Sequence, residues 1–329
     1  MMPRLTSLAV AATVTAGLLT GTASAQTTLR MAHSFQLQHP HHLASVAMAE
    51  HVAECTGGAV TIDIYPANQL GNEAALNEQV RVGGIDLIQT GFQWAVNSYE
   101  PIGVPTLPFL FRDREHAIAF QRSEIMRELI DGFNEATGLH MLAAGYHGAF
   151  NISSRGQRIE TLEDVAGMRI RAPDTPLFMA FPPAIGAVAV PIPFAELYLA
   201  LQQGVAQGSL NPITNTYAQG FWEVQDYVAL TEHLVDYVPI IASSRAWGRL
   251  DEAQQACLQE GADIFAEESA IRNYELENEL HVRMETEGMV EITRPDKEPF
   301  VEATEELRQQ LMAQFGWSDE IVERIRAIN

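Results

Sequence analysis

The familiar catalytic signatures are missing from this chain. No GxSxG elbow, Walker phosphate loop, HExxH zinc pair or GxGxxG dinucleotide turn occurs in its 329 residues. That removes the commonest hydrolase, nucleotide and metalloprotease readings and favours a protein that is not an enzyme. Cysteine is scarce, with Cys55 and Cys257 alone, and neither sits in a CxxC or Cys-His spacing that suggests zinc or thiol catalysis. In an oxidising compartment the two can pair or stay as buried thiols, and spacing does not choose between these. Basic residues are few, 20 against 42 acidic ones, for a net charge of -22. Such a surface repels phosphate backbones and excludes nucleic acid as a partner. An acidic protein that binds an anion must use a local, buried cation rather than its overall field. Low-complexity segments and internal repeats are absent. With 47% hydrophobic and 19% charged residues, the composition is that of a soluble globular protein large enough for two domains.

The first segment differs from the rest. Arg4 precedes an apolar run from Leu8 to Leu19, and Ala23-Ser24-Ala25 supplies small residues ahead of Gln26. Residues 1–25 read as a secretory signal peptide, since the run falls short of the roughly 20 residues of a membrane span. No cysteine lies near the junction for lipidation, and no later stretch reaches spanning length. The expected product is exported, free and periplasmic.

The remainder opens β-α-β-α-β. Thr28 to Ala32 predicts a strand and Leu43 to Ala53 a helix. Val60 to Tyr65 alternates as a strand, a helix follows from about Glu73 to Val82, and Ile85 to Gln89 is the next strand. This is the pattern of a mostly parallel sheet with crossover helices. A second series places strands at Gly167–Ala172 and Ala187–Pro191, with helices at Leu177–Phe181 and Ala195–Gln203. Residues 251 to 287 contain no proline and only Gly261 as an internal breaker. A helix of that length spans about 55 Å at about 1.5 Å per residue, more than one small domain; the alternative is two helices with a bend at Gly261.

Two clusters carry chemistry. In Gly167-Met168-Arg169-Ile170-Arg171-Ala172-Pro173 the arginines share a strand face, and Pro173 leaves Arg171 at the carboxyl end, where ligands of open α/β sheets bind. A guanidinium there can grip a carboxylate with two parallel hydrogen bonds. In Pro191-Ile192-Pro193-Phe194-Ala195-Glu196-Leu197-Tyr198 a proline-fixed turn enters a helix. Further on, Asn211 stands before Pro212 and offers both a donor and an acceptor.

These clusters, with Asn68-Gln69-Leu70-Gly71, Leu107-Pro108-Phe109-Leu110-Phe111 and Gly208 through Pro212, resemble the solute-binding proteins of tripartite ATP-independent periplasmic (TRAP) transporters, the DctP family. The resemblance covers nearly the whole chain after residue 25. It implies an α/β, two-lobed periplasmic-binding-protein fold with crossing hinge strands and a long helix spanning both lobes. Lobe I would hold residues 26–148 and 237–276, and lobe II residues 149–236 and 277–329. By resemblance Arg171 salt-bridges the ligand carboxylate, Asn211 contacts the same group and Phe194 packs on the ligand. His33, Glu73, Phe92 and Trp94 occupy first-lobe positions that line the site. The implied partners are a small-molecule carboxylate and the membrane permease subunits of the transporter, with hinge closure around the ligand. The protein is read as a monomer with no cofactor.

Three positions depart from the family pattern. Phe150 stands where many sialic-acid-type members carry a further arginine, which points to a pocket wall and a more apolar ligand. Gln207 replaces an acid, and Ser209-Leu210 replaces a charged residue after the glycine. Trp94, Phe92, Phe150, Phe194 and Trp222 are candidate walls, each against the alternative of an ordinary core aromatic. Histidines 33, 39, 41 and 42 raise a zinc or nickel site, against a solvated loop leading into a helix.

Overall fold

The computed structural model describes residues 26–329, so the signal-peptide segment 1–25 lies outside the described residues. Nine strands form one mixed sheet: β1 Thr27–Ala32, β2 Val60–Tyr65, β3 Leu87–Gln89, β4 His140–Ser154, β5 Arg169–Ala172, β6 Val188–Pro191, β7 Gly208–Pro212, β8 Tyr227–Ala242 and β9 Glu291–Thr293. Their order is β2-β1-β3-β8-β4-β7-β5-β6, with β9 on β8.

The opening β-α-β-α-β reading holds, because β1 pairs parallel with both β2 and β3. The centre of the sheet is different. β4 and β8 are 15 and 16 residues long and run antiparallel along their whole length. One end of β8 carries β3, and the opposite end of β4 carries β7. The two long strands therefore thread both lobes, which is the two-lobed α/β architecture expected. They read poorly in sequence because they are buried on both faces and show no period-two alternation. Register shifts at Tyr146/Gly148 and elsewhere bend the pair between the lobes.

A single helix, Glu252–Thr286, packs on both ends of this sheet. Asp251 and Gln254 close a reciprocal capping box at its start. It continues through Gly261, where an added Cβ would lie 2.8 Å from Val52 Cγ2, so the glycine permits close approach of the helix Pro40–Cys55. The first half buries Leu258, Ala262 and Phe265 with lobe I, and the second half buries Leu280 and Met284 with Ile213 and Val228. At the crossing, buried Glu277 accepts hydrogen bonds from the Ala149 amide at 3.1 Å and the Tyr146 hydroxyl at 3.1 Å, with Arg114 at 3.7 Å. Burial pushes its carboxyl up to about 7, against the pull of Arg114.

Other expected elements appear with shifted ends. The helix expected over 195–203 splits into a 3-10 turn Phe194–Glu196 and the helix Leu197–Gln202. Cys55 and Cys257 form a disulfide that ties the end of the helix Pro40–Cys55 to the start of the long helix. No helix among the described residues is long and apolar enough to cross a membrane.

The disulfide closes a loop of sequence separation 202. Chain entropy predicts that replacing both cysteines by serine lowers stability by about 2–5 kcal/mol, which denaturant unfolding of the oxidised protein and the variant measures.

Candidate functional site

Arg171 lies on β5 between β6 and β7, both parallel to it, and Pro173 ends the strand. The side chain is 2% exposed. Its Nε donates to the Ile192 carbonyl at 2.9 Å, and its Cζ stands 5.7 Å from the centre of the Phe194 ring. Among the described residues it forms no ion pair. Burial lowers it to about 10, with Glu73 pulling the other way, so it stays cationic at neutral pH. Arg169, two residues earlier, is exposed and spends its guanidinium on the carbonyls of Val205 and Gly204. One strand face thus delivers one arginine to the surface and one to the interior.

That interior is a cavity of about 170 Å³ bordered by residues from both ends of the sheet. A single water needs roughly 10–15 Å³ by this measure, so the space suits a small organic molecule. Arg171, Asn211, Phe194, Phe150, Glu73 and Trp94 line it. Asn211 is held on β7 by its amide, which donates to Ser209 Oγ at 2.9 Å. Ser209 Oγ in turn lies 2.9 Å from Ser153 Oγ on β4. Ser209, one of the departures from the family pattern, therefore supports Asn211 from behind. Phe150 is buried edge-on against Phe178 at 4.9 Å. Glu73 opens the helix Glu73–Arg81 beside Asn72, whose side chain caps the Ala75 amide at 3.0 Å.

His33 and Phe92 are not in the lining. Phe92 is fully buried in the hydrophobic core, 5.7 Å from the Tyr237 ring. His33 is fully buried too: its Nδ1 accepts from the Phe35 amide at 3.1 Å and its Nε2 lies 3.2 Å from His42 Nδ1. The metal reading meets a geometric obstacle. Among the described residues the one trio of converging ligand atoms is His51, Cys55 and Glu260, and Cys55 is spent in the disulfide. The histidines are no solvated loop either, since His39 and His41 are fully buried at the start of the helix Pro40–Cys55.

Sequence reasoning passed over Gln93, His147 and Asn215, all buried and all in the lining. Gln93 bridges the two ends of the molecule. Its Nε2 donates to Asp236 Oδ2 at 3.2 Å, and its Oε1 accepts from Thr175 Oγ1 at 3.3 Å. Asp236, on β8, also accepts from the amides of Phe92 and Tyr237. Burial still raises it to about 7. His147 immediately follows Tyr146 in the glycine-bounded stretch 145–148, a visible if weak signal. Asn215 sits in a helix with no motif.

Gly91 is required here: a Cβ would fall 2.2 Å from Asp236 Oδ2. Gly91→Ala is expected to dislodge the Phe92-Gln93 turn and cost roughly 1–3 kcal/mol of stability, measured by thermal or denaturant unfolding.

The chain is similar to other proteins in sequence and in fold. An uncharacterized protein of Sinorhizobium fredii is 33% identical over 86% of this chain, which spans 52% of that relative's length. A TRAP periplasmic solute-binding protein from Polaromonas, solved with D-erythronate, superposes with a TM-score of 0.88 at 26% identity, over 92% of this chain and 99% of that one. Another, from Haemophilus influenzae with bound L-gulonate, gives 0.86 at 27% identity, over 91% and 99%. Residues 31–314 match the bacterial extracellular solute-binding proteins, family 7, and this establishes the chain as a member of that family of solute-binding proteins.

Proposed function

We propose that this solute-binding protein captures a small hydroxylated carboxylate and passes it to the membrane permease of a TRAP transporter. One observation carries the proposal: a buried guanidinium, Arg171, lines the cavity without a carboxylate partner. Burying a charge is expensive unless it is paired. An incoming carboxylate supplies the missing partner and accepts the two remaining faces of the fork. Asn211 completes the carboxylate end, and Phe194 and Trp94 cover the carbon skeleton. Gln93, Asn215 and Glu73 offer hydrogen-bonding groups for hydroxyls. The acids held by two of the similar structures, D-erythronate and L-gulonate, have this character. Phe150, in place of a second cation, limits the site to one strongly held carboxylate.

The lobe division proposed from sequence, 26–148 with 237–276 and 149–236 with 277–329, falls at the register pair Gly148–Asp236 between β4 and β8. Bending there would open and close the cavity, a population shift driven by contacts made only when closed. Residues 1–25 are proposed to direct export to the periplasm, and the protein to act as a monomer without a cofactor.

Calorimetric titration with a panel of sugar acids and hydroxy acids tests the reading. Arg171→Ala is expected to weaken binding of the acid that binds by about 3–5 kcal/mol, roughly two to three orders of magnitude. Arg171→Lys should recover little of it, because an ammonium lacks the planar fork. A loss below about tenfold for Arg171→Ala would falsify the clamp. Trp94 emission is expected to change on addition of the same acid, and a silent titration with a Trp94→Phe control would remove Trp94 from the wall.

A further inference from the structure

Four imidazoles gather beside the cavity without an obvious task, and one of them, His147, is part of its lining. His33, His39, His41 and His147 are 0%, 0%, 0% and 6% exposed. The rings of His39 and His41 are 5.3 Å apart, those of His41 and His147 5.1 Å, and Phe35 stacks on His39 at 4.5 Å. His39 Nδ1 accepts from the His41 amide at 3.2 Å, which leaves the proton on Nε2, and that nitrogen has no partner. Both nitrogens of His41, His147 Nδ1 and Asn215 Oδ1 are likewise buried and unpartnered. Asn215 Nδ2 lies 3.3 Å from His147 Nε2.

The cluster sits on the seam between the two halves of the molecule. The segment carrying Phe35 and His39 touches the helix Ile213–Ala218 and the residue after it. Gln38 Nε2 donates to the Ala218 carbonyl at 2.8 Å, and Gln36 Nε2 to Gln219 Oε1 at 3.2 Å.

No carboxylate is paired with these rings. The same helix also carries His42, Glu50, His51 and Glu54; of these His42 faces His33, and His51 pairs with Glu260 on the long helix at 3.2 Å. From the long helix, Phe265 stacks on His41 at 5.7 Å, while Glu277 is engaged by Tyr146, Ala149 and Arg114. From β8, Asp236 is engaged by Phe92, Gln93 and Tyr237. The helix Ile213–Ala218 contributes neutral Thr214 and Asn215. Arg171 and Glu73 lie on the cavity wall.

We propose that closure of this seam around the ligand expels protons from the histidine cluster, so that the ligand is held at neutral pH and released in acid. The proposal rests on the reading of the cavity as a carboxylate site closed by hinge motion. In the closed form every imidazole must be neutral. Burial holds His33 down to about 3 and His147 to about 4, and His39 and His41 well below the ordinary range. Once the seam parts and water enters, the rings return toward about 6.5. The closed state then binds fewer protons than the open one. Affinity is full above the open-state value and falls as pH drops below it, by about tenfold between pH ~7.5 and ~5.5 for each histidine coupled to closure.

The test is calorimetric titration with D-erythronate, L-gulonate and D-glucuronate at pH ~7.5 and ~5.5, in buffers of different ionisation enthalpy. These carboxylic acids are ionised at both values. The expected result is net proton release on binding at the lower pH and little at the higher, with the affinity loss above. His41→Phe, which fits between Phe35 and Phe265 and does not line the cavity, should bind as wild type at pH ~7.5 and show less proton release. His39→Asn, which keeps the helix cap, should do the same. Wild-type binding without buffer dependence and with equal affinity at both pH values overturns the proposal, as does undiminished proton release in both variants. Failure of every acid to bind at pH ~7.5, or unchanged binding by Arg171→Ala, would instead overturn the carboxylate reading beneath it.

Discussion

A cation without a counter-ion, buried at the end of β5, is the constraint around which this structure is arranged. Arg171 keeps its charge because burial lowers it only to about 10 and Glu73 partly offsets that cost. One backbone carbonyl and the face of one aromatic ring steady it. An apolar side chain would cost less there, so the protein holds this energy in reserve for an anion. In a chain of net charge -22, long-range attraction cannot gather an acid. The local, low-dielectric environment of a single guanidinium must do so.

The rest of the fold serves that site by holding two halves in register. β4 and β8 are shared by both ends of the sheet, and Gln93 links Thr175 to Asp236 across the cavity. The long helix clamps the crossing from outside through Glu277, and the disulfide fastens its second turn to the end of the helix Pro40–Cys55. Buried groups near pH neutrality concentrate at this crossing. Asp236 and Glu277 are raised to about 7 and the histidines are depressed, because all are taken from water where the halves meet.

Local chemistry was legible along the chain. The glycine and proline flanks placed β5 and its arginine, the proline-free run placed the long helix, and period-two alternation placed β2. Six of the eight site residues named from sequence and family resemblance line the cavity: Arg171, Asn211, Phe194, Phe150, Glu73 and Trp94. Phe92 and His33 lie next to lining residues and point into the core, because alternate positions on short turns face opposite ways. Gln93 and Asn215 carried no local signal, since an amide is ordinary in any helix. Their importance comes from partners more than 60 positions away.

What the sequence alone determined was the α/β order of elements, the unbroken helix and the arginine at a strand end, each set by residues within a few positions of one another. The antiparallel pairing of β4 with β8 was decided only in three dimensions. So were the disulfide, the burial of the histidines and the absence, among the described residues, of an ion pair to Arg171. Each of these depends on contacts between distant segments, and the free energy that selects them is the burial of surfaces that no local window contains.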